Sequence, residues 1–171
     1  SYDFSPGSLF LNGSPVVGNV DIEIVEVANK SEMIFSGVTT LAGDRLLASG
    51  GMFDISISQG GQPVTLNGSY TMSIPYKTKD FAMQIFEGEE VSNPDGSSTV
   101  NWVTADSSWI QQDSTQGSDS GRYYMNLNFL SWCNLDKFYN ATDGGQVRLK
   151  LPSECTSSNT TVYMIFEENS V

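Results

Sequence analysis

Between residues 129 and 145 the sequence reads FLSWCNLDKFYNATDGG, a short run that gathers Trp132, Cys133, Asp136, Lys137 and Tyr139. An enzyme would use Asp136 as acid or base there, with Lys137 or Tyr139 as helper. Such chemistry needs a second group at a telling spacing, and no second carboxylate supplies it. A single Asp beside a Lys is more often a local ion pair or a turn bond. The favoured reading is a structural corner. Trp132 and Phe138 enter the core, while Asn134 and Asp136 bond the backbone of a turn between two strands.

The other residue types that carry chemistry are scarce or scattered. There is no histidine, which removes the usual general base and the commonest zinc ligand. The two cysteines, Cys133 and Cys155, enclose a loop of about 22 residues. A bridge there would contribute roughly 3 kcal/mol on the chain-entropy account. An even count in a secreted chain invites that disulfide, and two buried free thiols are the alternative. Acidic clusters occur at Glu87/Glu89/Glu90, Asp113/Asp119 and Glu167/Glu168. None follows an EF-hand pattern, so solvated loop charge is preferred over a bound calcium. A glycosidase built on two carboxylates would need no histidine. It ranks last, since no Asp or Glu stands in a context that would raise its pKa.

Among the aromatics, Trp102 and Trp132 stand in strand-like phase and read as core. Trp109, in a polar stretch, is the best candidate for a stacking or interface residue. Asn-x-Ser/Thr sequons occur at Asn12, Asn29, Asn67, Asn140 and Asn159. Turn chemistry explains several of them without a glycan. Ser114, within Asp113-Ser114-Thr115, matches a short bacterial O-glycosylation pattern.

Short strands must position these residues. The chain has 171 residues, of which 39% are hydrophobic and only 16% charged, with abundant Ser, Thr and Gly. That is the profile of a turn-rich β domain rather than a helical bundle. Alternation predicts strands within 16–28, 45–58, 68–76, 80–88, 98–105, 122–132, 146–152 and 160–168. Turn signals such as Asn12-Gly13 and Gly60-Gly61 separate them. A change of phase at Ile24-Val25 predicts a bulge in the first strand. One short helix is expected over 28–37, with Ser31 as N-cap and Gly37 as its stop. The polar stretch 106–121 reads as a linker or loop.

Two stretches carry a resemblance. "GNVDIEIVEVANKSEMIFSGVTT" followed by "LLASGGMFDISISQGGQPV" resembles a ZU5-like β-sandwich region of large secreted or surface proteins of Bacteroidota. "YYMNLNFLSWCNLDKFYN" with "VRLKLPS…NTTVYMIFEENSV" is similar to a second block in such proteins, in which a Trp-x-Asn-x-Asp-Lys-Phe corner precedes further strands. These are packing motifs, so the resemblance implies fold and location rather than activity. Self-cleavage at a His-Ser bond, known for some ZU5 relatives, does not carry over to a chain without histidine.

The expected fold is all-β. A ZU5-like or Ig-like sandwich covers 1–105, a polar linker 106–121, and a second, smaller β block 122–171, the chain reading as a piece of a longer processed protein. The net charge of −12 argues against nucleic acid and anionic membranes, and no apolar run is long enough to span a bilayer. The expected function is a non-enzymatic adhesion, assembly or spacing module of a secreted or cell-surface protein. The run 161–166, apolar on both faces, is expected to meet another domain or subunit. The rival is a carbohydrate-binding module using Trp109, with calcium held by acidic loops.

Overall fold

The computed structural model describes residues 1–27, 29–76, 80–92, 96, 98–112, 121–140, 147–156, 158–160 and 162. Among them, fourteen strands and one seven-residue helix make an all-β protein. Strands are numbered in chain order. One sheet runs β1 (Tyr2–Phe4), β9 (Tyr70–Tyr76), β13 (Gly121–Leu127), β12 (Trp109–Gln112). The larger sheet runs β11 (Ser98–Thr104), β10 (Gln84–Ser92), β14 (Cys133–Phe138), β6 (Arg45–Gln59), β4 (Asp21–Val27). The short strands β5 (Leu41–Ala42) and β7 (Gln62–Pro63) add to β6. A small third sheet joins β3 (Ser14–Pro15), β2 (Leu9–Leu11) and β8 (Thr65–Leu66).

The two main sheets face each other across one core. Alternate residues of β9 (Tyr70, Met72, Ile74) and β13 (Tyr123, Met125, Leu127) meet Phe53, Ile55, Ile85, Cys133 and Leu135 of the larger sheet. Period-two alternation puts the intervening residues of the larger sheet on its other face. There Leu47, Met52, Phe86, Val100 and Trp102 form a second core, to which Val27, Val38 and Met33 of the helix α1 (Lys30–Ser36) contribute. The larger sheet is therefore covered on both faces over its middle, which explains its near-continuous burial along β6.

Three expectations change. The helix is capped by Asn29, whose side chain accepts from the Glu32 amide at 3.0 Å, and it ends at Gly37 in the left-handed region at φ 70°. The cap therefore lies two residues before Ser31, and Glu32 places an acidic side chain in the first turn. The bulge is not in β4, which pairs residue for residue with β6 from Asp21↔Ser58 to Val27↔Met52. Its change of apolar phase reflects two faces that both meet apolar neighbours. The irregularity lies instead where β14 crosses β6, between Asn134 and Asp136, opposite Gly50-Gly51. A Cβ on Gly50 would stand 2.9 Å from the Leu135 carbonyl oxygen, so only glycine fits that crossing.

The third change concerns organisation. The described strands after 121 belong to the two main sheets: β13 pairs with β9, and β14 lies between β10 and β6. Residues 109–112, expected in a linker, are the edge strand β12. Burial of the apolar faces of β9 and β6 requires β13 and β14 as neighbours, so the described strands on either side of the expected boundary share both sheets. The rest of that stretch, 113–120, lies outside the described residues, as does all of 161–166 except Val162.

Candidate functional site

Within the opening run, Cys133–Phe138 form the strand β14. Trp132, just before it, and Phe138, at its end, are half-buried, whereas Cys133, Asn134, Leu135 and Asp136 are fully buried. Cys133 and Leu135 enter the core between the sheets. Asn134 and Asp136 do not bond a turn. The Asn134 amide donates to Asp136 Oδ2 at 2.6 Å, the Ser49 hydroxyl donates to Asn134 Oδ1 at 3.1 Å, and the Gly51 amide donates to the Ser49 hydroxyl at 3.2 Å. Burial raises the Asp136 carboxyl to about 7; the Ser49 hydroxyl, the Gly50 amide and the Asn134 amide pull it part of the way back. Asp136 Oδ1 has no well-formed hydrogen bond.

A carboxyl with this pKa is what the sequence did not reveal, because the shift comes from burial beside β6 and not from neighbours in the chain. Its chemistry is nonetheless confined: at 0% exposure no substrate reaches it. It belongs with the structural networks that also perturb pKa values. Lys137, on the opposite side of the strand, pairs with Asp80 at 2.6 Å and not with Asp136. That contact, first as a hydrogen bond, holds the Asp80 carboxyl below the usual range. Phe138 meets Phe86 edge-on at 5.4 Å and carries the Arg45 guanidinium 3.3 Å above its ring.

Cys133 and Cys155 are both free thiols, which overturns the disulfide. Cys133 lies in the core, whereas Cys155 is partly exposed. Burial, then the nearby Asp136 and Glu87 carboxylates, pushes its thiol far up, away from any nucleophilic role. Among the described residues no group of three or more Cys, Asp or Glu side chains could hold a metal ion. The calcium candidates Asp113/Asp119 and Glu167/Glu168, and the glycosylation candidate Ser114, lie outside the described residues. The asparagines of all five sequons are exposed: Asn12, Asn29, Asn67, Asn140 and Asn159. Two of these side chains serve local structure, Asn29 as the helix cap and Asn159 as acceptor from the Thr156 amide at 2.7 Å.

Two surfaces remain for binding. Trp109 is 53% exposed on the edge strand β12. It borders a shallow cleft of about 290 Å³ between the sheets, with Met83, Gln84, Asp106, Ser108 and Ile110. The second surface is β4, which sequence reasoning passed over. It ends the larger sheet, and its outer edge is unpaired among the described residues. Ile22, Ile24 and Val25 are exposed at 46%, 39% and 41%. Ile22 and Ile24 stand opposite Ile57 and Ile55, on the face that looks into the sandwich, while Asp21 and Glu23 stand opposite Ser58 and Ser56 on the outer face. The doubled apolar phase of 21–27 was the sequence signal for a strand touched from both faces.

No protein-family model, no curated protein and no solved structure matches the chain.

Proposed function

We propose that this protein is a non-enzymatic β-sandwich module of a secreted or cell-surface protein, and that it joins other protein domains or subunits through the open edge of its larger sheet. The observation that carries this reading is β4. Edge strands are normally short, charged inward, bulged or covered. This one is seven residues long and regular, carries one inward charge, Glu26 opposite Phe53 near its end, and exposes three β-branched side chains. A strand of that kind offers main-chain hydrogen bonds for affinity and alternate side chains for specificity. The composition supports the same reading, since the chain has no histidine and its one strongly perturbed described carboxyl is sealed in the core.

The test is sedimentation across a range of concentrations, beside a glycan array with and without calcium. Association that strengthens with concentration and is lost in Ile24→Lys supports the reading; Ile24 is exposed, so the variant keeps its fold. Hydrolysis of any glycan, or association indifferent to Ile24→Lys, overturns it. The exposed Trp109 beside its cleft favours a second reading, a carbohydrate-binding module, because an exposed indole next to polar groups is the usual sugar platform. Saturable binding of one glycan that vanishes in Trp109→Ala would establish that reading instead.

A further inference from the structure

Residues 147–151, Val-Arg-Leu-Lys-Leu, alternate like a strand, yet among the described residues no ladder pairs them. Val147, Leu149 and Leu151 are exposed at 67%, 60% and 45%. Arg148 and Lys150, two of the chain's eight basic residues, occupy the other phase of the same segment and are exposed as well. The segment thus has one apolar side and one cationic side, both in water.

Over Asp21–Ile24 the open edge of β4 has the matching pattern; beyond it Val25 takes the outer face and Glu26, opposite Phe53, the inner one. Ile22 and Ile24 point to the inner face, and Asp21 and Glu23, with the same two-residue spacing, point to the outer face. Among the described residues neither acid has a salt bridge. The outer face is also crowded with like charge: behind it on β6, the Asp54 carboxyl is raised first by burial and also by Glu23 and Glu90.

We propose that residues 147–151 of one copy of this chain add as a strand to β4 of a second copy. Val147, Leu149 and Leu151 then cover Ile22 and Ile24 and close the side of the sandwich, while Arg148 and Lys150 stand beside Asp21 and Glu23. The period of two makes this register self-checking. A slip by one residue would set both cations against Ile22 and Ile24 and apolar side chains against Asp21 and Glu23, so along 21–24 the proposed phase is favoured. Charge complementarity selects a second copy: the whole chain carries −12, and this short segment is a local reversal of sign. Donor and acceptor are different surfaces, so each exchange leaves a free donor and a free acceptor and the contact propagates.

This inference rests on the open-edge reading above and names its partner. The experiment uses the full chain in three forms: the acceptor reversal Asp21→Lys/Glu23→Lys, the donor reversal Arg148→Glu/Lys150→Glu, and all four changes together. All four side chains are exposed, so each form keeps its fold. Wild-type chain is expected to form concentration-dependent oligomers by sedimentation. Either reversal should weaken association about tenfold, the cost of two like-charge pairs across a ladder. The four-fold variant should recover it. The acceptor reversal brings the net charge closer to zero, so weaker association in that form cannot come from general repulsion.

If the acceptor reversal dissociates the oligomers and the donor reversal does not, the open edge is the interface but 147–151 is not its strand, and this inference fails while the reading above stands. If the chain is monomeric at every concentration, with amides of 147–151 and β4 protected from hydrogen exchange, the segment pairs within its own chain and the inference is overturned. Monomer without that protection overturns it too.

Discussion

The side-chain amide of Asn134 reaches the carboxylate of Asp136 at 2.6 Å, two residues along one strand, with both groups sealed from solvent. Ordinary alternation puts such a pair on one face of a sheet. The irregular crossing at Gly50-Gly51 brings Ser49 into the same network. A buried acid held this way has consequences for stability as a function of pH.

Asp136 should make the protein less stable as pH rises. Its folded pKa is about 7, above the ordinary carboxylate value near 4. Between those values the folded chain keeps a proton that the unfolded chain releases, so stability falls across about pH 4–7 and is level above it. The loss is at most about 4 kcal/mol. Asp136→Asn removes this slope. Urea unfolding of both forms at pH 4, 6 and 8 should show the variant gaining on wild type as pH increases. A gap that moves the other way would mean that Ser49 and Gly50 stabilise the anion.

Gly88 sits where a side chain has no room. An added Cβ would lie 2.5 Å from Trp132 Cβ and 2.7 Å from Val100 Cγ1. The Gly88 amide also donates to the Trp132 carbonyl at 2.8 Å, so the two backbones cannot separate freely. Gly88→Ala should therefore cost about 1–3 kcal/mol, the usual penalty for overpacking. Denaturant titration measures it, and an unchanged midpoint would show that Trp132 does not press on the strand.

The two thiols should behave differently toward alkylating reagents. Cys155 is partly accessible and Cys133 is not. Native protein should take up one label, at Cys155, with Cys133 reacting only after unfolding. Reducing agent should leave the melting temperature unchanged. A drop on reduction would restore the disulfide.

The single helix depends on its cap. Asn29→Ala removes the acceptor for the Glu32 amide and should destabilise the fold by about 1 kcal/mol, while Asn29→Gly should cost only a few tenths. Thermal melts of the two variants distinguish a cap from a residue that matters only as a glycan acceptor, for which both changes would be equal.

The all-β class was legible in the sequence because alternation is local. Tyr70, Met72 and Ile74, or Met125 and Leu127, announce one buried face by their spacing alone, and Asn12-Gly13 takes up the positive φ values, 50° and 80°, of the hairpin turn it predicts. Gly37 likewise ends its helix where the sequence placed the stop. What lay beyond local reading was which strands become neighbours. The spacing of β14 does not say that it inserts between β10 and β6, yet that insertion buries Asp136 and Cys133 and raises the Asp136 pKa. The adjacent charges Asp136 and Lys137 looked like a pair in the chain. The pleat sends them to opposite faces, where one meets Asn134 and the other Asp80. The same holds for β4: its residues carry the pattern of a strand, but only the sheet order leaves that strand at an edge with Ile22 and Ile24 uncovered. Periodicity is set residue by residue along the backbone, whereas pairing is set by how distant strands share one core, and the candidate site belongs to the second.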